Sequence, residues 1–270
     1  MVRTDIEEMK AFVGCLYVMG ITKLPSINAY WEKDSTLFCF QGISVLFSRT
    51  RFSDIYTSLC LRDPILESPN TNDYLFKINS FVETIIAQCK KHYVPDREVT
   101  IDESMIPFRG RSKLIQYMPL KPIKYGLKAF LLCEAKTGYV LQWKLFTGDP
   151  NDVHSNFGLT YQVIRDLVLD LEGNQNILYT DRYYTGLQIY HDLKMLGIGA
   201  CGTLQMNRSQ LPEEIRTDLS SLRPQEIMHF KTNRDLLLSC WKDSNLVMVL
   251  SNCFGTGSIE TSRRKKKKRD

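Results

Sequence analysis

Apolar residues recur every three or four positions through roughly the first ninety residues of the chain, the spacing of one helix face. A stripe from Ile6 to Leu16 follows the capping-box sequence Thr4-Asp-Ile-Glu7 and predicts a helix that ends near Gly20. Further helices are predicted to begin near Ser26, to cover about 50–61, and to run to about His92. The chain therefore begins with a helical region, for which the pattern predicts the bounds 1–95.

The period of the pattern then shortens from about 3.6 to 2, which is typical of strands. Alternation through Val99 and Ile101 predicts a first strand, and two apolar runs flanking Ala135-Lys-Thr-Gly138 predict a hairpin. The next predicted elements are a helix over about 155–171, a strand over 176–180, a helix over about 185–196 and a strand near 198–204. Three more strands are predicted around 225–251.

This order of elements predicts an α/β fold, a ribonuclease H-like mixed sheet, in which the first and fourth strands lie side by side. Asp102 follows the first strand's apolar alternation, and Asp181 ends the fourth. Carboxylates at such a sheet edge can hold two metal ions ~3.5–4 Å apart, which align the attacking and leaving oxygens of a phosphate. The alternatives are a cap or turn role for Asp181 and a surface role for Asp102.

Positive charge is concentrated in two segments of the chain. The net charge is +5, of which the run 263–269 and Asp270 together account for +6, so residues 1–262 carry −1. A second segment has six cations in twenty residues and no Asp or Glu, namely Arg109, Arg111, Lys113, Lys121, Lys124 and Lys128. Because local cationic patches attract phosphates, these residues, with Arg263 and Lys265 in the tail, are predicted to contact nucleic acid.

The cysteine and histidine patterns bear on cofactors and location. The eight cysteines form no C-x-x-C pair and the four histidines lack metal-ligand spacing, so reduced intracellular thiols and no zinc are expected. No apolar run reaches the ~18 residues of a membrane span, so no membrane partner is expected. The basic tail fits a solvated linker, a nuclear import signal or a phosphate-binding arm, and we favour import, which predicts location in the nucleus.

Seven segments spread over nearly the whole chain resemble the piggyBac transposase family, in the order in which that family carries them. They are Gly20-Ile-Thr-Lys-Leu-Pro-Ser-Ile-Asn-Ala-Tyr-Trp31, Ser48-Arg-Thr-Arg-Phe52, Val99-Thr-Ile-Asp-Glu-Ser-Met-Ile-Pro-Phe-Arg-Gly-Arg111, Gln116-Tyr-Met-Pro-Leu-Lys-Pro122, Tyr125-Gly-Leu-Lys128, Tyr179-Thr-Asp-Arg-Tyr-Tyr-Thr185 and Cys201-Gly-Thr203. The number and order of these segments make chance similarity an inadequate explanation.

The resemblance implies a domain organisation and an activity. It implies a helical dimerisation and DNA-binding region at 1–95, a ribonuclease H-like catalytic core at 96–205, a β-rich insertion at 206–260 and a basic linker at 261–270. It also implies cut-and-paste transposition of double-stranded DNA, at transposon ends and target, with two divalent cations, usually Mg²⁺. The intact protein is expected to be a homodimer.

Carried over residue by residue, the family's first two catalytic aspartates fall on Asp102 and Asp181, as metal ligands. Its third lies in a segment after the insertion, and this chain contains neither that segment nor the family's cysteine-rich end. Met1 stands only three residues ahead of a predicted helix, so the chain is expected to be truncated at both ends. Arg182 replaces the usual Asn, and its guanidinium would compete with the metal unless it points away. Gln205 replaces an arginine, which leaves Arg208 as the candidate DNA contact there.

Two functions follow from these features. The first is a fragment of a piggyBac-like DNA transposase, catalytically incomplete because the third aspartate is lacking. The alternative is a domesticated, transposon-derived protein that binds DNA or another partner without catalysis. Whether the chain is an enzyme is therefore left open by the sequence.

Overall fold

The computed structural model describes residues 3–32, 41–61, 74–148, 156–208, 211–232 and 234–256. The chain forms two compact units, Met1–Ser80 and Phe81–Asp270. The predicted DNA contacts Arg263 and Lys265, with the rest of the predicted basic linker, lie outside the described residues. None of the helices in the described ranges is both long enough and apolar enough to cross a membrane.

The first unit is helical, as the apolar spacing predicts. Its elements are α1 (Ile6–Thr22), a 3-10 helix (Ile27–Trp31), α2 (Gln41–Leu46) and α3 (Arg49–Ser58). Aromatic rings dominate its core, where Phe52 packs against Phe12 and Trp31 with ring centroids 4.9 and 5.1 Å apart. The buried members are Phe12, Cys15, Tyr30, Ile43, Phe47, Phe52 and Ile55.

The ends of α1 differ from the sequence prediction by one or two residues. Asp5, rather than Thr4, caps the helix, since its carboxylate accepts the backbone N–H of Glu8 at 2.7 Å. The helix also continues past Gly20 to Thr22, and it ends where Lys23 adopts a left-handed conformation with φ 46°. Lys23 donates its backbone N–H to the Met19 carbonyl, so the terminal turn closes without a glycine.

The second unit consists of one sheet with helices. Its elements are α4 (Asn79–His92, which starts just before the unit), β1 (Glu98–Pro107), β2 (Ile115–Tyr117), β3 (Tyr125–Glu134), β4 (Val140–Leu145), α5 (Leu159–Val168), β5 (Ile177–Thr180), α6 (Leu187–Met195), β6 (Gly199–Thr203), α7 (Glu213–Ser220), β7 (Ile227–Lys231), β8 (Leu237–Lys242) and β9 (Leu246–Ser251). A 3-10 turn, Leu169–Leu171, continues α5.

Within the described ranges the strands join in the order β2-β3-β1-β5-β6-β9-β8-β7, and β4 also pairs with β3. The central strands β1, β5 and β6 run parallel, while the flanking pairs are antiparallel. This mixed sheet confirms the predicted ribonuclease H-like α/β fold and the adjacency of its first and fourth predicted strands. β2 and α7 were not predicted, because three and eight residues are too short for a clear periodic pattern.

The core of the second unit lies on one face of the sheet. Val99 and Ile101 of β1 pair with Leu178 and Thr180 of β5. Val99, Ile101 and Leu178 are buried with residues of α5 and α6. Side chains alternate along a strand, so burial of Val99 and Ile101 directs Thr100 and Asp102 to the opposite face.

The strands of the predicted insertion continue the same sheet, since β9 pairs with β6 and β8 pairs with both β9 and β7. The three strands predicted around 225–251 are therefore present. The domain divisions after residues 95, 205 and 260 stay predictions.

Glu134, at the end of β3, is a buried carboxylate with only 2% of its surface exposed. It accepts hydrogen bonds from the hydroxyl of Thr137, the backbone N–H of Asp96 at 2.8 Å and the hydroxyl of Tyr93 at 2.7 Å. These donors, the Thr137 hydroxyl first, lower the pKa of Glu134 to about 2. The ionised carboxylate thus joins the segment before β1 to the β3–β4 turn.

Replacing Glu134 with Gln is expected to lower the melting temperature at pH 7 and to reduce the acid sensitivity of folding. Because folding lowers the Glu134 pKa, its stabilisation is present above the unfolded value of about 4.5 and is lost as pH falls toward about 2. Thermal unfolding between pH 7 and pH 3 tests this, with the exposed Glu172→Gln as control. An equally steep loss of stability below pH 4.5 in wild type and Glu134→Gln would contradict the assignment.

Candidate functional site

Asp102 and Asp181 lie across from one another where the parallel β1–β5 ladder ends. The last pair in that ladder is Ile101 with Thr180; Asp102 is the next residue of β1, and Asp181 directly follows β5. Neighbouring strands in a sheet lie about 4.8 Å apart. The strand register thus brings together the two acidic residues singled out from the sequence.

Asp181 also forms a turn. Its Oδ1 accepts the backbone N–H of Tyr183 at 2.8 Å, and its carbonyl accepts those of Tyr184 and Thr185 at 3.2 and 3.1 Å. Asx turns of this type hold the carboxyl group close to its own backbone. Asp181 therefore has the turn role that the sequence offered as an alternative. It is also exposed and lies beside Asp102, so the turn does not exclude a role in metal binding.

The carboxyl group of Asp102 reaches solvent on the face opposite the core. Its Oδ1 accepts the backbone N–H of Glu103 at 2.8 Å. Partial burial raises the pKa of Asp102, and the negative charge of Glu103 raises it further, while the backbone hydrogen bond acts in the opposite direction. A nearby cation would favour the ionised form of Asp102.

Glu103 lies in a polar cluster behind Asp102. Lys121 pairs with Glu103 Oε1 at 3.0 Å, and the hydroxyl of the buried Tyr184 donates to Oε2 at 3.0 Å. Burial alone would raise the pKa of Glu103, but these hydrogen bonds lower it below its usual range. Burial and the Glu103 charge raise the Tyr184 pKa, so the hydroxyl stays protonated as a donor.

The six predicted cations between residues 109 and 128 divide into two groups. Arg109, Arg111, Lys113 and Lys124 are exposed, whereas Lys121 and Lys128 are partly buried. The ammonium of Lys128 lies 4.8, 5.6 and 5.5 Å from the ring centroids of Phe130, Phe146 and Tyr183, and burial lowers its pKa. The fold therefore uses two of the cations in internal contacts near the aspartates.

Arg208 supports the turn that follows Asp181. Its guanidinium donates to the carbonyl of Arg182 at 2.8 Å and to that of Tyr183. Arg216 of α7 in turn donates to the Arg208 carbonyl at 2.8 Å. A DNA contact by Arg208 stays a prediction, but its guanidinium already has this internal role. No ion pair among the described residues joins Arg182 to Asp181, so the side chain of Arg182 is not held against that carboxylate.

The internal contacts of Lys121, Lys128 and Arg208 were not foreseen from the sequence. The internal contact of Glu103 could have been found from the strand alternation. Glu103 is two residues after Ile101 and four after Val99, so its side chain lies on the same, buried face of β1. A buried glutamate requires a partner, and the nearby cationic segment could have supplied one.

The two aspartates fit part of a divalent metal site. Carboxylate oxygens are the ligands that Mg²⁺ and similar hard cations prefer in proteins. Each aspartate uses Oδ1 in a hydrogen bond to the backbone. In the described part of the chain, however, no group of three or more His, Cys, Asp or Glu side chains could hold a metal ion. The two carboxylates are thus the right type of ligand for the predicted metal ions, but the described residues provide fewer of them than the family's three aspartates.

Comparisons with known proteins find transposases and transposon-derived proteins among the relatives of this chain. A transposase family model, Transposase IS4, matches residues 1–269. Human PiggyBac transposable element-derived protein 3 is 22% identical over 254 residues, which are 92% of this chain and 42% of that protein. Human PiggyBac transposable element-derived protein 5 is 21% identical over 266 residues, which are 94% of this chain and 50% of that protein.

A piggyBac transposase synaptic complex with hairpin DNA, solved by cryo-EM, matches the fold with a TM-score of 0.80 and 25% sequence identity. The match covers 96% of this chain and 54% of that one. The chain thus spans about half the length of the relatives it matches. With the family model covering nearly every residue, the resemblance read from the sequence is confirmed, and the chain belongs to the piggyBac transposase family.

Proposed function

We propose that this chain acts on DNA as part of a piggyBac-type transposase, with Asp102 and Asp181 as carboxylate ligands of divalent metal. The observation that carries the proposal is the β1–β5 register, which sets the two aspartates across from each other at the end of a parallel ladder. Carboxylates that converge where a parallel ladder ends can hold divalent metal beside a phosphate of DNA.

Magnesium ions held there would stabilise negative charge on the scissile phosphate and lower the pKa of an attacking water. The chain's own residues would position the ligands. The Asx turn fixes Asp181, Arg208 holds the carbonyls that follow it, and the Lys121–Glu103 pair fixes β1 behind Asp102. The exposed cations of segment 109–124 would bind the phosphates of duplex DNA.

The proposal includes the partners and the location expected from the sequence. Double-stranded DNA at transposon ends and target is the substrate, and the intact protein acts as a homodimer in the nucleus. The basic run at 263–269 supports nuclear import, and the relative solved with hairpin DNA supports a DNA partner.

The second candidate function is a transposon-derived DNA-binding protein without catalysis. It is favoured by a specific observation, since no third acidic side chain in the described ranges joins Asp102 and Asp181 as a metal-binding group. Arg182, which stands next to Asp181, also adds positive charge to this edge of the sheet. Binding of DNA is common to both candidates, and the metal site distinguishes them.

Asp102→Asn and Asp181→Asn are each expected to weaken Mn²⁺ binding at least about tenfold, because each removes a charged ligand. Electron paramagnetic resonance of free Mn²⁺, with and without duplex DNA, measures this affinity independently of catalysis. Asp96→Asn is the control, because this exposed aspartate precedes β1 and so lies at the other end of the β1–β5 ladder from Asp102. Equal affinity in all four proteins would refute the metal site and favour the second candidate.

A further inference from the structure

An exposed pair of stacked tyrosines lies at the loop end of the β2–β3 hairpin. Tyr117 and Tyr125 face each other in the antiparallel register, with ring centroids 4.6 Å apart and planes inclined by 27°. Each is more than half exposed, at 57% and 58%. Large aromatic side chains usually lie in cores or binding surfaces, so an exposed pair indicates a surface that binds a partner.

The charge around this pair favours a nucleic acid. Between Ser104 and Cys133 the chain contains no Asp or Glu. The four exposed cations of that stretch lie on either side of Tyr117 in sequence, and Lys124 immediately precedes Tyr125. Aromatic rings next to positive charge are the combination that binds unpaired bases and their phosphates.

The hairpin that carries the pair is tied to the strand of Asp102. Lys121, in the loop between β2 and β3, pairs with Glu103. The loop is closed by the backbone N–H of Met118, which donates to the Lys124 carbonyl at 2.8 Å. At Gly126 the backbone of β3 runs so close to β1 that an added Cβ would lie 2.1 Å from the Ile106 carbonyl. The pair is therefore held at a fixed position along the β1–β3 ladder.

That position is on the same side of the ladder as Asp102. Asp102 pairs with Leu131, which lies six residues from Tyr125 along β3. An even separation keeps both side chains on one side, and six residues of strand span about 20 Å. This is about the length of six base steps along one DNA strand.

We propose that Tyr117 and Tyr125 form a stacking surface for an unpaired base on the DNA strand held at the aspartate pair. The inference rests on the proposed DNA function and adds a feature of the substrate, an unstacked base about six steps or fewer from the metal site. The rings would stack on any base, and nearby cations would hold the adjoining phosphates.

The test compares two DNA probes on the full chain, a blunt duplex and the same duplex with a six-nucleotide unpaired extension containing 2-aminopurine. Wild type is expected to prefer the extended probe about tenfold and to quench its fluorescence by stacking. The double variant Tyr117→Leu with Tyr125→Leu should lose both effects and still bind the blunt duplex. The corresponding double Phe variant should retain both effects, because phenylalanine rings also stack.

Tyr17→Leu is the control, since Tyr17 is an exposed tyrosine of α1 in the first unit. The stacking surface alone would be overturned if the double Leu variant still preferred the extended probe and quenched its fluorescence. It would also be overturned if wild type bound the blunt duplex as tightly as the extended probe. Failure of wild type to bind either probe would overturn the proposed DNA function as well. Thermal unfolding of the Phe and Leu variants shows whether a loss comes from the ring or from the fold.

Discussion

Alanine at Arg109, Arg111, Lys113 and Lys124 together is expected to weaken duplex DNA binding by about 10²–10³-fold at 0.1 M salt. The physical reason is counterion release. Each phosphate contact contributes about 0.9 to the slope of log affinity against log salt, so loss of three or four contacts lowers the slope by about three. All four side chains are exposed, unlike the partly buried Lys121 and Lys128. Filter binding or fluorescence anisotropy across a salt series measures both quantities.

The control for this prediction is a variant of equal charge change. Lys91, Arg97, Lys136 and Arg223 are also exposed, and the first three precede β1 or lie in the turn after β3, whereas Asp102 lies past the other end of the β1–β5 ladder. Their replacement should leave the salt slope almost unchanged if DNA binds at the four cations of segment 109–124. Removal of the run 263–269, by contrast, should flatten the slope, as the fourfold alanine variant does. Equal losses in the control and test variants would indicate non-specific attraction rather than a defined DNA surface.

The position of the two aspartates could be predicted from the sequence because local patterns determine it. Alternation in β1 and the apolar run of β5 each define a strand with a buried face. Register is strongly specified when one face is buried, since a slip of one residue would expose the whole apolar set. The order of the elements then predicted that β1 and β5 are neighbours. The residues that follow their paired segments, Asp102 and Asp181, were therefore predicted to lie close together.

The contacts made by cations could not be predicted in the same way. Lys121 and Lys124 look alike in sequence, yet one pairs with Glu103 and the other is exposed. The difference depends on how the β2–β3 loop packs back toward β1, a contact between residues eighteen positions apart. Arg208 likewise acts on carbonyls 25 and 26 residues away. Charge patterns indicate a patch, but only packing determines which side chains remain available to a ligand.

This distinction changes which variants are informative about DNA binding. Neutralising Lys121 removes an ion pair with a partly buried glutamate, so it would disturb the fold next to Asp102 as well as any phosphate contact. Arg109, Arg111, Lys113 and Lys124 are exposed, so their replacement disturbs less packing. The metal, stacking and salt experiments therefore address separate parts of one surface: the aspartate pair, the tyrosine pair and the four exposed cations.

The 270-residue chain is expected not to cleave DNA in Mg²⁺, at a rate at least about 10³-fold below that of a catalytically active family member. Two carboxylates without a third leave the metal ions under-coordinated and the scissile phosphate poorly aligned. Within the described ranges no third acidic group completes the site. A gel assay of strand cleavage on radiolabelled duplex, with Mg²⁺ and then Mn²⁺, measures the rate.

Arg182→Asn separates the two features that would each prevent cleavage, the lack of a third carboxylate in the described ranges and the arginine beside Asp181. If the lack of a third carboxylate in the described ranges is decisive, this variant should not cleave DNA, because removing a positive charge beside Asp181 supplies no ligand. Cleavage restored by Arg182→Asn would instead identify the arginine as the block. Robust cleavage by the unmodified chain that is abolished by Asp102→Asn would contradict the prediction altogether. It would mean that another carboxylate completes the site, either Glu103, released from Lys121, or Asp149, which lies outside the described residues.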